Sequence, residues 1–375
     1  MASVLKEVYA EMWTVVVTVQ FSDFRNYEHL EADLGPGLNV LSGANAQGKT
    51  NMLEALYLLS TARLLRGQRD GEAIRDGATI GRVEAQLGPI DTSVAVQLQA
   101  GVRKRSFLNG YGLPRASDIL GRLPAVCVSA EDLSLARGEP ADRRLFLDLE
   151  LAALFPAYLR DLGVYKRALE QRNVLLRHAA ESHVAEATFE PWESQLGRHG
   201  ANLRAARADY VGRLNRLAGE LHGRLAPGEE LSLNYVVRDS AVSNEELVEL
   251  LASRRGDDIR RGSTSLGPHR DDLSITTGGR DVRLFGSQGQ QRASTISIKL
   301  GALKLAEAER GEPPLLLLDD VFSDLDALRR EALVDLILGS AGQVVLTCTE
   351  ASAAGQRVLD QARLFTVSGG TVTRQ

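Results

Sequence analysis

Leu38-Asn39-Val40-Leu41 runs directly into Ser42-Gly43-Ala44-Asn45-Ala46-Gln47-Gly48-Lys49-Thr50, and the architecture follows from that junction. The first four residues read as a strand, bounded upstream by Gly35-Pro36-Gly37 and preceded by a second β-rich run from Trp13 to Val19. From Lys49 to Leu59 the apolar residues Met52, Leu53, Leu56, Leu58 and Leu59 recur at near-helical spacing, so strand, glycine loop and helix follow one another without a break. The loop has the G-x-x-x-x-G-K-[ST] form of a phosphate-binding P-loop. Backbone N–H groups from Gly43 through Ala44, Asn45, Ala46, Gln47 and Gly48 to Asn51 converge on a polyphosphate. Lys49 neutralises its β and γ groups, and the Thr50 hydroxyl ligates magnesium.

The other half of such a site is expected at Leu315-Leu316-Leu317-Leu318-Asp319-Asp320, an apolar strand ending in two carboxylates. Adjacent residues at a strand end point in different directions. Asp319 can therefore hold magnesium while Asp320 faces an attacking water as the catalytic carboxylate, with Lys49 assisting.

Phe285-Gly286-Ser287-Gln288-Gly289-Gln290-Gln291-Arg292 precedes a helix with Ala293, Ile296, Leu300 and Leu303 on one face. A serine and a glycine at a helix start offer a hydroxyl, free N–H groups and the positive end of the helix dipole, which suits an anion. The P-loop already serves one nucleotide's phosphates, so a second phosphate-seeking helix end is redundant unless it serves another subunit. Ser287, Gly289 and Gln290 are the candidate contacts, and Ser323-Asp324-Leu325-Asp326 follows the two acids as an Asp-rich loop.

The remaining chain is consistent with a large globular protein: 375 residues, 44% apolar, 25% charged and a net charge of −5. No apolar stretch approaches the roughly 20 residues needed to span a bilayer, and Glu7 and Glu11 interrupt the start, so a cytoplasmic protein is expected. Cys127 and Cys348 are too few for a disulfide framework or zinc cluster and read as buried thiols. The acidic average argues against coating nucleic acid over the whole surface, and 5% aromatic content leaves little for a base-stacking platform.

Residues 80 to 108 alternate, as in Val94-Ala95-Val96-Gln97-Leu98, and suggest an antiparallel meander. From about 140 to 224 the texture is helical. Leu162, Leu169 and Leu176 stand at sevenfold spacing, as do Leu196, Leu203, Tyr210 and Leu217, with Leu214 and Leu221 between. Two readings fit: an antiparallel coiled-coil arm, about 45 Å long for a helix of about 30 residues, or a helical bundle lobe. Strand texture returns at Leu231 to Val237, and Ser243 with Glu246 makes a capping box. The expected fold is α/β: a P-loop ATPase head of residues 1–135 and 265–375, with mixed sheet and antiparallel meander, around an inserted mainly helical lobe of residues 136–264.

This ordered set resembles the ATP-binding-cassette head of the SMC-like class. Four further stretches are similar to the RecF family of bacterial recombination mediators. They are Phe21-Ser22-Asp23-Phe24-Arg25-Asn26-Tyr27, Ser129-Ala130-Glu131-Asp132-Leu133, Pro140-Ala141-Asp142-Arg143-Arg144-Leu145-Phe146-Leu147-Asp148, and Leu266-Gly267-Pro268-His269-Arg270-Asp271-Asp272-Leu273. The resemblance implies an ATPase that forms a homodimer with ATP and magnesium, each nucleotide held between one copy's P-loop and the other's Ser287. It further implies binding of double-stranded DNA, gapped DNA and single-strand/double-strand junctions. Interaction with RecR, help in loading RecA during gap repair, fork maintenance and SOS induction, and no membrane role complete what it implies. Asp320 stands where transporters usually carry Glu, and Val344-Val345-Leu346-Thr347-Cys348-Thr349 lacks their switch histidine, leaving Thr347 or Thr349 in its place and favouring slow hydrolysis; stimulation of that hydrolysis by DNA is expected from the resemblance. Glu131 occupies the position of the class's metal-touching glutamine, with a surface salt bridge as the alternative. Arg25 and Asn26 either reach the adenine or ribose side or pin the first hairpin, and His269 either acts at the site or holds a turn.

Three basic clusters are candidate DNA contacts: Arg63, Arg66 and Arg69; Arg103, Lys104 and Arg105; and Arg254, Arg255, Arg260 and Arg261. Each is expected in a loop or at an element end. The competing reading is an ATPase subunit of another SMC-like or transport assembly, against which the helical insertion and the Gly-Pro-His-Arg-Asp-Asp segment speak.

Overall fold

The computed structural model describes residues 13–67, 69–323, 325–340 and 342–375; Glu7, Glu11 and Asp324, used in the sequence reading, lie outside them. The chain divides into two compact units. The head comprises Met1–Leu133, Leu217–Glu229 and Ser287–Gln375, and the lobe comprises Ser134–Arg216 and Glu230–Gly286.

Among the described residues the head holds two six-stranded sheets. In the first, β1 (Val15–Phe24) pairs with β2 (Tyr27–Asp33) and β4 (Ile80–Gly88), followed by β5 (Thr92–Gln99), β6 (Val102–Leu108) and β7 (Tyr111–Gly112), all antiparallel. This is the expected meander. Its alternation of buried and half-exposed residues along β4 belongs to a sheet with one face on a core.

The second sheet contains β3 (Leu38–Ser42), β8 (Ala125–Val128), β12 (Leu315–Asp319), β13 (Val344–Cys348) and β14 (Ala362–Ser368) in parallel, closed by the antiparallel β15 (Thr371–Arg374). Strands β3 and β13 are buried at every residue, which is why they read as unbroken apolar runs. Helix α1 (Lys49–Thr61) packs Met52, Leu53, Leu56 and Leu59 into the cluster that joins Phe21 and Val83 of the first sheet to Leu41 and Leu317 of the second. The opposite face of the parallel sheet carries Ala293, Ile296, Leu300, Leu333 and Ile337, with Leu225 and Ala226. Those residues draw Leu217–Glu229 into the head. Register aligns Asp319 with Thr347 and Ser42 with Cys348, so the C-terminal ends of β3, β13 and β12 open on one crevice.

In the lobe, α2 (Pro140–Leu154), α3 (Pro156–Glu181) and the first part of α4 (Glu190–Leu225) pack with α5 (Asn244–Ser253) and α6 (Arg255–Arg261). A three-stranded sheet runs β11 (Arg280–Asp281), β10 (Asp272–Thr277), β9 (Leu231–Val236). Helices α3 and α4 run antiparallel, as the pairings Arg172–Glu193, Asp161–His199 and Tyr158–Arg207 show. Of the heptad residues, Leu162, Leu176, Leu196, Leu203, Tyr210 and Leu214 are buried. The helices form a bundle lobe, not a free arm, because Arg172 also bonds Asp258 on α6 and the Leu251 carbonyl on α5. The lobe reaches to Gly286, beyond the expected boundary at 264. Asp271 and Asp272 are ion-paired to Arg204 and Arg143, and β10 pairs with β9. Ser243 caps α5 by accepting from Glu246 N at 3.1 Å, while the Glu246 carboxylate turns to Val242 N.

Among the described residues no helix is long and apolar enough to cross a membrane. Cys127 and Cys348 are buried free thiols, and burial pushes the Cys348 thiol up to about 11.

Candidate nucleotide site

The P-loop leaves β3 at its C-terminal end and turns into α1 through Gly48, whose φ of 119° favours glycine. A Cβ there would stand 2.8 Å from Asn26 Nδ2 and 2.9 Å from Tyr27 Oη, while one at Gly43 would stand 2.2 Å from the Val367 carbonyl. Both glycines are thus demanded by close approach. Tyr27 Oη donates to the Gly48 carbonyl at 3.0 Å, and Asn26 Nδ2 to the Gln47 carbonyl at 2.9 Å. Asn51 Nδ2 in turn donates to Asn26 Oδ1 at 2.7 Å. Lys49 Nζ lies over the loop, donating to the Gly43 and Ala44 carbonyls at 2.6 and 2.8 Å.

Thr50 Oγ1 donates to Asp319 Oδ1 at 2.9 Å, joining residues 269 positions apart. Thr347 Oγ1 donates to the same oxygen at 2.7 Å and accepts from Asp320 N at 3.0 Å. One buried hydroxyl therefore holds both acids. Asp320 sits at φ 47°, a left-handed conformation that Asp tolerates better than most residues, and its side chain is exposed at the pocket. Thr349 lines the same pocket and gives its carbonyl to Gly43 N at 3.2 Å. The donor set suits a magnesium triphosphate: hard hydroxyl and carboxylate oxygens for the cation, and an ammonium and a crowded glycine loop for the phosphates.

Ser287 is the N-cap of α7 (Gln288–Arg310). Its Oγ accepts from Gln290 N at 3.2 Å, and Gln290 Oε1 accepts from Ser287 N at 3.0 Å, a complete capping box. Arg292 Nη2 donates to the Asp320 carbonyl at 3.3 Å and so ties α7 to the acidic turn.

Other expected site residues lie elsewhere. Glu131 is exposed and does not line the pocket; its neighbour Asp132 bonds Ser129 and pairs with Lys299 at 3.2 Å. Arg25 is engaged bidentately by the buried Glu54, at 2.9 Å to each oxygen, and donates to the Glu72 and Arg66 carbonyls. Arg25 pins the first hairpin, and Asn26 pins the P-loop. His269 belongs to the lobe, bonded to Tyr165 Oη at 2.7 Å and facing the Thr264 carbonyl at 3.1 Å. Burial lowers its pKa to about 4, as suits a neutral residue holding a turn.

The basic clusters separate. Arg66 lines the nucleotide pocket, donating to Asn51 Oδ1 at 2.7 Å with Glu54 behind it, whereas Arg63 and Arg69 are exposed. Arg103, Lys104 and Arg105 lie within β6 and not in a loop: Arg103 and Arg105 are exposed on one face, and Lys104 is half-buried on the face that carries the buried Ser106. Arg103 is exposed, Lys104 pairs with Asp70 at 2.6 Å, and Arg105 lies over the Phe107 ring. Arg254 and Arg260 both pair with Asp257, Arg255 pairs with Glu193 at 2.6 Å, and Arg261 is exposed. Glu54 escaped the sequence reading, and Arg66 was expected at DNA and not in the nucleotide pocket. The available signal was a lone acid within the apolar run of α1, where a buried carboxylate requires a cation.

The RecF/RecN/SMC N-terminal domain family matches residues 15–371. A DNA replication and repair protein RecF of Shouchella clausii is 37% identical over 96% of this chain and 99% of its own length. The RecF protein of Symbiobacterium thermophilum is 39% identical over 95% of this chain and 97% of its own. Among solved structures, the recombination mediator protein RecF bound to ATP in the RecFOR pathway superposes with a TM-score of 0.88 at 29% identity, covering 97% of this chain and 98% of that one. The Smc head domain of Pyrococcus furiosus, at 16% identity and a TM-score of 0.56, shares the fold. With the P-loop, the paired acids and the capped serine helix in place, the chain belongs to the RecF family of DNA replication and repair proteins, within the SMC-like class of ATP-binding-cassette ATPases.

Proposed function

We propose that two copies of this chain pair around two magnesium ATP molecules, each held between the P-loop of one copy and Ser287 of the other, and that the pair binds DNA as a recombination mediator. The observation that carries this reading is the match to proteins named RecF over nearly the whole chain. The Thr50–Asp319 bond that readies the metal position supports it. Magnesium ATP, when bound, would supply a γ-phosphoryl group that water attacks, with ADP as the leaving group. The chain's own part is positional: Lys49 and the loop N–H groups hold the phosphates, Thr50 and Asp319 hold the metal, and Asp320 accepts the proton of the attacking water at its carboxylate. Thr347 keeps the two acids apart in role. The short carboxylate of Asp320, with a threonine where transporters use histidine, favours slow turnover suited to timing release from DNA.

Arg63, Arg69 and Arg103 are the exposed cations best placed to meet phosphates on the head. Binding to duplex, gapped or junction DNA is then sequence-tolerant, ATP-dependent and steeply salt-sensitive. The RecFOR pathway named for the ATP-bound relative supports RecR as a partner, and this reading assigns RecA loading in the cytoplasm as the outcome.

Sedimentation tests the pairing: a monomer without nucleotide, a dimer with magnesium ATP, and no shift for Lys49→Met or Ser287→Arg. ATP hydrolysis measured side by side on gapped, duplex and single-stranded DNA tests the rest. Equal DNA affinity with and without ATP would overturn the coupling.

A further inference from the structure

Arg329, on α8 (Ala327–Leu338), lies against the start of the Ser287 helix. A Cβ at Gly289 would stand 2.8 Å from Arg329 Nη1, so the glycine leaves room for a guanidinium. Two acids fix that guanidinium. Arg329 Nη2 donates to Glu229 Oε1 at 2.9 Å, and Nη1 to Asp326 Oδ2 at 3.3 Å, while Asp326 caps α8 by accepting from Arg329 N at 2.9 Å. Glu229 follows the end of α4, and its other oxygen faces the buried His222 Nε2 at 4.0 Å. Arg329 is thus bonded to the acid after α4 and to the cap of α8, and touches the first turn of α7.

A cation at a helix N-terminus is electrostatically unfavourable, since the dipole is already positive there. Here the two acids offset that cost and leave the guanidinium free to hold the helix start. Glu229 and Asp326 balance the guanidinium, so an anion brought to Ser287 feels chiefly the helix dipole. The same side chain also holds the start of α7 against α8, so the serine hydroxyl meets the incoming phosphate in a fixed place.

We infer that Arg329, with Glu229 as its counter-ion, is the positioning residue of the Ser287 clasp: it serves the nucleotide of the partner copy and not the one in its own P-loop. This rests on the pairing proposed above and adds a residue to it. Among the described residues, the pocket around Lys49 and Asp319 has no Arg329 in its lining.

The test measures two constants on each variant: ATP binding to the monomer under dilute conditions, and the dissociation constant of the ATP-bound pair by sedimentation. Arg329→Ala is expected to leave monomer ATP affinity within twofold of the parent and to weaken pairing by tenfold or more. Glu229→Gln is expected to weaken pairing less, and the exchange Arg329→Glu with Glu229→Arg to recover part of the loss, with unchanged thermal melting excluding misfolding. Pairing unaltered in Arg329→Ala, or monomer ATP affinity falling in parallel with pairing, overturns the inference. Ser287→Arg separates the two levels: if it still pairs with ATP, the clasp itself fails. If it does not pair while Arg329→Ala pairs as the parent does, only the role of Arg329 fails.

Discussion

Head and lobe solve the same packing problem with different chemistry. In the head, Leu38, Val40, Leu316, Leu318, Val344 and Leu346 fill one face of the parallel sheet, and Leu41, Leu315, Leu317 and Val345 fill the other. Its buried charges gather around the site: Lys49 in the P-loop, Glu54 behind it, and Arg292 and Lys299 on the Ser287 helix. In the lobe, by contrast, charge runs through the core. Arg172, wholly buried, donates to Glu193, Asp258, Thr264 and the Leu251 carbonyl, and so joins four helices. Arg207 bonds Asp148 and Tyr158, Arg204 bonds Asp239 and Asp271, and Arg143 bonds Asp272. An apolar interface tolerates sliding and substitution, whereas directional ion pairs are satisfied in one register only. The head therefore derives its stability from buried area, and the lobe gains a fixed arrangement at the cost of desolvating its ions.

If that contrast holds, removing one lobe arginine is worse than hollowing out the head. Arg172→Met leaves Asp258 buried without its cation and Glu193 with Arg255 alone, and is expected to cost about 4 kcal/mol. The chain has two tryptophans, and each unit carries one, Trp13 in the head and Trp192 in the lobe. Denaturation followed at Trp192 in a Trp13→Phe background should show the loss, and a change under 1 kcal/mol would mean that the network is ornamental. Leu317→Ala, in the fully buried centre of β12, is expected to cost about 3 kcal/mol, read at Trp13.

Acid should sharpen the difference further. His269 titrates near 4 when folded because burial disfavours its charged form, against an ordinary value of 6.5. Between those values the unfolded chain binds the extra proton. Lobe stability is then complete above pH 6.5 and declines by about 2 kcal/mol as pH falls to 4, after discounting for partial exposure. Burial opposes ionisation of Asp148, Asp239 and Asp272, but Arg207, Arg204 and Arg143 respectively outweigh it and hold all three below the usual carboxylate range. Their contribution is lost only below pH 3.8. Trp192 should report this acid softening and His269→Gln should flatten it; a slope unchanged in that variant would assign the effect elsewhere.

The smallest effect belongs to the site. Thr347→Val removes the hydroxyl shared by Asp319 and the Asp320 amide, costing about 1 kcal/mol. That should appear as roughly fivefold weaker magnesium-dependent ATP binding with little change in melting temperature.

The P-loop, the two acids and the serine cap are each a short continuous stretch of chain, and local geometry makes each of them what it is, so strand, loop and helix were legible from spacing alone. The meander and the return to helix at 140 were legible for the same reason, because period is a local property. The heptads were visible too, yet Arg172, Arg204 and Arg207 were not singled out, since nothing local tells whether a cation on a helix faces water or a buried carboxylate. Arg66 shows the same limit: composition grouped it with Arg63 and Arg69 as a phosphate-seeking cluster, and only the fold turns it into the nucleotide pocket, with Glu54 behind it. Glu131 was assigned a place beside the metal by position in a motif, but the turn after β8 leaves it in solvent.

Sequence by itself thus determined the phosphate loop, its acids and the α/β order of the head, because those depend on neighbours along the chain. Tertiary structure alone decided which charges are buried, that the Thr347 hydroxyl joins Asp319 to the Asp320 amide, and where the lobe ends. Those outcomes depend on residues brought together from 20 to 300 positions away, whose pairing energies exist only once the chain has closed on itself.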